Sequence, residues 1–212
     1  MILQKQKEFE EKLNSISHGT AALISIIGFI ILLQFCKKSN TEYLLFSIII
    51  YGISLIILYT SSTIYHSVKN QKLKHIFRII DHCSIFLLIA GTYSPVLLIV
   101  IGGETGWYMF SIQWTIALIG VIFKVFYTGK YELISVCLYI LMGWMIIFKL
   151  NELIISIPES GFLLLLSGGI IYTIGIIFYV IDTKIRYSHF IWHLFVIAGS
   201  LTHYLMILKY IV

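Results

Sequence analysis

Seven times along its 212 residues this chain runs on, almost without charge, for about twenty residues. A soluble helix needs only one apolar stripe, so runs apolar all round point away from a soluble fold. A bilayer asks for them: roughly 30 Å of hydrocarbon is crossed at about 1.5 Å per helical residue. In that solvent every backbone N–H and C=O must be paired within the segment, which selects the helix. The expected spans are 17–36, 43–66, 79–101, 107–127, 132–150, 161–181 and 189–211. The fold class is therefore an all-α membrane protein, a seven-transmembrane helix bundle, with residues 1–212 forming one domain. The longest connection is read as the 12 residues 67–78, so consecutive helices are antiparallel neighbours. The first apolar run follows a charged lead and is too long for the core of a cleavable leader.

The net charge of +5 is not a nucleic-acid surface, because only 12% of residues are charged and the basic ones fall between apolar runs. There they orient the chain. One side collects Lys5, Lys7, Lys12, Lys69, Lys72, Lys74, Arg78, Lys124, Lys130, Lys184 and Arg186. The other has Lys37, Lys38, Lys149 and Lys209. Eleven against four puts the N-terminus in the cytoplasm and the C-terminus outside, and dropping Lys124, which falls inside the fourth span, leaves that unchanged. Membrane lipids, not nucleic acid, are the expected partners. Cys36, Cys83 and Cys137 sit in separate apolar runs with no pairing motif and read as free thiols.

Ionisable groups at the edge of a span are costly and mark functional candidates. His189 and His193 open the last span four residues apart, on one helical face. His66 ends the second span and Asp81 begins the third. With the orientation above, all four lie just inside the cytoplasmic leaflet. Three neutral imidazoles and a water make an open four-coordinate zinc site. Such a metal makes its water more acidic and polarises a carbonyl. Asp81 is then placed to orient that water or take its proton. Ser62 lies one turn before His66 on the same face, where its hydroxyl can hold an oxyanion or the water. Imidazole donors favour zinc over magnesium or calcium.

Four strings carry a family resemblance: NSISHG at residues 14–19, SSTIYHS at 61–67, DHCSIFLLIAGTYSP at 81–95 and SHFIWHLFVIAGSLTH at 188–203. The chain resembles the hemolysin III family, part of a larger group with the progestin and adiponectin receptors and the alkaline ceramidases. The resemblance implies a seven-helix bundle with a cytoplasmic N-terminus and a zinc ion near the cytoplasmic face. On the matching positions, His66, His189 and His193 are the zinc ligands. Asp81 and Ser62 contact the metal through water or sit beside it. The group has been proposed to hydrolyse lipid amides, ceramides above all. The hemolysin name implies instead a pore that lyses cells.

Other histidines read differently. His18 lies at the depth of the site, as a supporting or an interfacial residue. His82 points about 100° away from Asp81 and is a supporting or packing residue. His75 is solvated in a basic loop. His203 lies roughly 21 Å beyond His189 and cannot share its ion; it is a hydrogen-bonded or cavity-lining histidine. Gly91, Thr92 and Pro95 interrupt the third span, and Gly168, Gly169 and Gly175 read as close-packing sites. Trp107, Tyr108 and Tyr131 are interfacial anchors. The functional reading is a membrane zinc hydrolase of lipid amides or esters. A pore lacks the polar stripe it needs along several spans, a receptor with structural zinc has no visible partner, and a bis-histidine haem has no facing pair at mid-membrane depth.

Overall fold

The computed structural model describes residues 2–212, with side chains from Gln6 onward. Lys5, one of the basic residues counted above, has its side chain outside that range. Among the described residues there is no strand. Among these residues seven helical spans are long and apolar enough to cross a membrane: Gln6–Cys36, Leu44–Ser67, Gln71–Ile101, Gly103–Tyr127, Glu132–Ser156, Glu159–Val180 and Ser188–Tyr210.

Eight α-helices make up these spans: α1 (Ile2–Cys36), α2 (Leu44–Ser67), α3 (Gln71–Pro95), α4 (Gly103–Tyr127), α5 (Glu132–Gly143), α6 (Leu150–Ser156), α7 (Glu159–Val180) and α8 (Ser188–Tyr210). Contacts run α1–α2–α3–α4–α5–α7–α8 and back to α1, closing the bundle. α2 and α3 are the most enclosed. Leu23, Ile27, Phe126, Phe148 and Ile155 are among the apolar side chains left on the outside, which suits lipid as the surrounding solvent. The face carrying the N-terminus and the α2–α3, α4–α5 and α7–α8 connections is the basic face.

Three boundaries differ from the sequence reading. The charged lead is helical, so α1 begins at Ile2 rather than 17. Its Lys, Glu, Gln and Leu residues are good helix formers that a hydropathy criterion ignores. The connection read as residues 67–78 shrinks to 68–70, because Asn70 caps α3. Its Oδ1 accepts from the N–H groups of Lys72 (3.0 Å) and Leu73 (3.2 Å). His75 is consequently exposed on a helix, not in a loop. The fifth span is not one helix to 150: α5 stops at Gly143, a 3-10 turn covers Met145–Lys149, and α6 carries on to Ser156. Side chains take up the carbonyls at the break. Tyr93 donates to Gly143 at 2.5 Å and Gln113 to Met142 at 3.3 Å.

Pro95 ends the regular part of α3, and the helix widens into a π segment at Val96–Ile101. That segment presses the Leu97 carbonyl against Gly106 of α4, where a Cβ would come within 2.1 Å. Lys124 is no interfacial charge: it is fully buried in α4.

Candidate metal centre

His66 lies in the last turn of α2, and His189 and His193 in the first two turns of α8. The chain brings them together on the basic face. Ring centroids are 5.1 Å apart for His66–His189, 5.1 Å for His66–His193 and 4.9 Å for His189–His193. One ligand atom from each lies within 4.8 Å of the others. Zinc–nitrogen bonds of roughly 2.0–2.1 Å put tetrahedral donors about 3.4 Å apart, so small ring rotations close this set on one ion.

The partners of the outer nitrogens suit three ligands of one metal ion. His66 Nδ1 donates to Glu11 Oε2 at 2.9 Å, and His189 Nδ1 to Asp182 Oδ2 at 3.0 Å. His193 Nδ1 lies 3.4 Å from the Ser17 hydroxyl. Fixing Nδ1 in this way leaves Nε2 as the lone-pair donor, the arrangement that accompanies metal-bound imidazoles. His66 Nε2 is buried and has no hydrogen-bond partner. Lys74 holds the Glu11 carboxylate from its other side at 3.0 Å. The centre thus draws on α1, α2, α8 and the α7–α8 connection. Glu11 and Asp182 escape the sequence reading. Asp182 had one signal, an acid seven residues before a histidine; Glu11 is one of three glutamates in the lead, with nothing to single it out.

Asp81 and Ser62 line a cavity together with His18, His82, His189 and His193. Asp81 is 8% exposed and Ser62 1%. The Ser62 hydroxyl lies beside the Asp81 carboxylate, yet meets no partner at hydrogen-bonding geometry. His18 is buried, with its ring stacked on His193 at 3.5 Å and 8°, and neither of its nitrogens is bonded. Buried polar groups are rarely left unpaired. Among the described residues ten carry such atoms, and Asn14, His18, Ser62, His66, His82 and Ser188 are six of them.

The cavity has a volume of about 110 Å³ and runs inward between apolar side chains such as Leu58, Leu88, Ile176 and Val196. A second chamber of about 340 Å³, lined by Leu153, Phe162 and Leu165 among others, shares Tyr93, Trp144, Gly169 and His203 with the first. His203 sits at this junction and donates from Nε2 to the Leu165 carbonyl at 3.0 Å. It is both hydrogen-bonded and cavity-lining, and it is no part of the three-histidine group.

The sequence matches the family described as Haemolysin-III related over residues 6–204. Hemolysin-3 of Bacillus cereus is 42% identical over 202 residues, covering 95% of this chain and 92% of that protein. A Hemolysin-3 homolog of Bacillus subtilis (strain 168) is 41% identical, covering 96% and 95%. The human monocyte to macrophage differentiation factor is 29% identical, covering 96% and 85%. No solved structure matches the chain. With residues 6–204 matched and three histidines able to hold a metal, the chain belongs to the haemolysin-III related family of multi-pass integral membrane proteins.

Proposed function

We propose that the protein is a zinc-dependent hydrolase of lipid amide or ester bonds, working at the cytoplasmic face of the membrane. One observation carries the reading: a three-histidine cluster with a carboxylate beside it opens into an apolar cavity inside the bundle. A metal that only stapled helices would need neither. His66, His189 and His193 hold the ion; three imidazoles with no oxygen donor suit zinc. When bound, zinc supplies a more acidic water and a polarised carbonyl. Asp81 orients the attacking water and takes its proton. Ser62, whose hydroxyl is uncommitted, donates to the oxygen that gains charge. The apolar walls take the acyl chain, and the second chamber gives a longer chain room to continue.

The test uses the purified full chain in lipid nanodiscs and a fluorogenic dodecanoyl ester. Asp81→Asn should keep its zinc and lose at least about 100-fold in kcat, the usual share of a general base. Equal rates for the two proteins contradict the reading.

A second reading has one observation in its favour, the hemolysin name of the Bacillus cereus relative. A pore conducting water and solutes needs a polar lining, and the cavity walls here are mostly apolar. Dye release from liposomes in proportion to protein dose, unaltered by removing zinc, would favour the pore.

A further inference from the structure

Lys124 of α4 and Glu132 of α5 form an ion pair inside the bundle, with Nζ 2.5 Å from Oε2. A lysine within a span is costly and marks function by default. Glu132 is held from two more sides. The Tyr179 hydroxyl of α7 donates to Oε2 at 3.0 Å, and the Gly129 N–H donates to Oε1 at 3.0 Å. Oε1 also faces His82 Nδ1 of α3 at 4.0 Å. Residues from α3, α4, α5 and α7 thus converge on one carboxylate that stands behind one imidazole.

His82 is buried, and its Nδ1, 4.0 Å from Glu132 Oε1, makes no hydrogen bond. Its ring lines the cavity that also holds Asp81 and Ser62. With Nδ1 turned to Glu132, Nε2 is the nitrogen left for the cavity. A carboxylate within hydrogen-bond reach of the far nitrogen of a histidine fixes its tautomer and steadies its protonated form, and a shift of about 1 Å in the His82 ring would bring Glu132 within that reach. A helix staple would be complete with Lys124 and Glu132 alone and would not need His82. Asp81 and His82 are consecutive, about 100° apart round α3, so they approach a ligand in the cavity from different directions.

We propose that His82, backed by Glu132, gives the leaving group its proton in the hydrolysis described above; the inference rests on that reading of the metal centre. Water adds to the carbonyl carbon, and its proton passes to Asp81. The C–N bond then breaks, its electron pair stays on nitrogen, and nitrogen takes the proton from His82 Nε2. One water is consumed, and a carboxylic acid and an amine are formed. Asp81 then passes its proton, through water in the cavity, to His82 Nε2, which returns both groups to their starting state. An amine departs only with a proton, whereas a phenol with an acidic hydroxyl leaves as the anion.

The experiment compares two fluorogenic substrates with one dodecanoyl chain: the amide of 7-amino-4-methylcoumarin and the ester of 4-methylumbelliferone. The zinc-loaded full chain is assayed in nanodiscs, and its zinc content is measured alongside. His82→Gln should lower kcat on the amide by about 100-fold or more and on the ester by less than about threefold, with zinc retained. Glu132→Gln should shift the amide-to-ester ratio in the same direction by a smaller factor, which keeps the test alive if His82→Gln does not accumulate. Equal losses on both substrates, no loss on either, or loss of zinc from His82→Gln would overturn the inference. A wild-type chain that cleaves the ester alone overturns it too and leaves the hydrolase standing. One that cleaves neither overturns the hydrolase reading, and this inference with it.

Discussion

Each imidazole of the candidate metal centre is held through its far nitrogen, and two of the three holders are carboxylates. Such partners orient the ring and raise its basicity, and losing one typically costs about 10–100-fold in metal affinity. Glu11→Gln and Asp182→Asn should each weaken zinc binding by about that factor, read by competition with a chelator of known affinity. Unchanged affinity in both would show that the rings are positioned by packing alone. His66, His189, His193, Asp81 and Ser62 were legible because span ends carry few polar residues, so those present stand out. Glu11 was not, because its partner lies 55 residues away and their meeting depends on how α1 leans on α2. Lys124 read as a doubtful loop charge for a similar reason: the carboxylate that lets it stay buried comes from the next helix.

At the scale of the element, α1 shows what hydropathy leaves out. Its charged first turns are helical and deliver Glu11 to the site, beside Ser17 and His18 further along the same helix; a span read from 17 onward has no reason to include Glu11. The break after α5 was invisible for another reason. A single glycine in an apolar run does not announce a 3-10 turn, and the turn is tolerated because Tyr93 and Gln113, from other helices, bond the carbonyls there. The glycine pair of α7 separates two roles that sequence merges. A Cβ on Gly168 would lie 2.2 Å from the His203 ring, so Gly168 is a packing site. A Cβ on Gly169 would meet nothing within 4 Å, and Gly169 lines both chambers, so it keeps space open instead. Gly168→Ala should destabilise the protein by about 1–3 kcal/mol, the usual cost of overpacking, whereas Gly169→Leu should leave thermal stability near wild type. Gly169→Leu should instead slow cleavage of long-chain esters relative to short-chain ones. Equal loss of stability in both variants, or no change in chain-length preference, would contradict this division.

At the scale of the whole molecule, the seven spans and the meeting of three helix ends on one face follow from apolar run lengths and antiparallel neighbours. What run lengths do not supply is the closing of the ring by α8 against α1, which brings His193 to Ser17 and His18. Orientation in the bilayer rests on the basic residues: with Lys124 buried, ten flank one face and four the other. A reporter active only outside the cytoplasm should work when fused after Val212 and fail when fused in the α4–α5 connection. The opposite pattern would place the metal centre at the outer surface and remove the cytoplasmic assignment.

The proposed hydrolysis depends above all on the three histidines sharing one ion. Metal analysis of the purified full chain tests that directly, beside His66→Ala, His189→Ala and His193→Ala variants shown to be folded. We expect about one zinc per wild-type chain, because three imidazoles complete a four-coordinate site with one open position, and we expect each variant to lose it. Stoichiometric zinc retained by all three variants, or none in the wild type, would contradict the account.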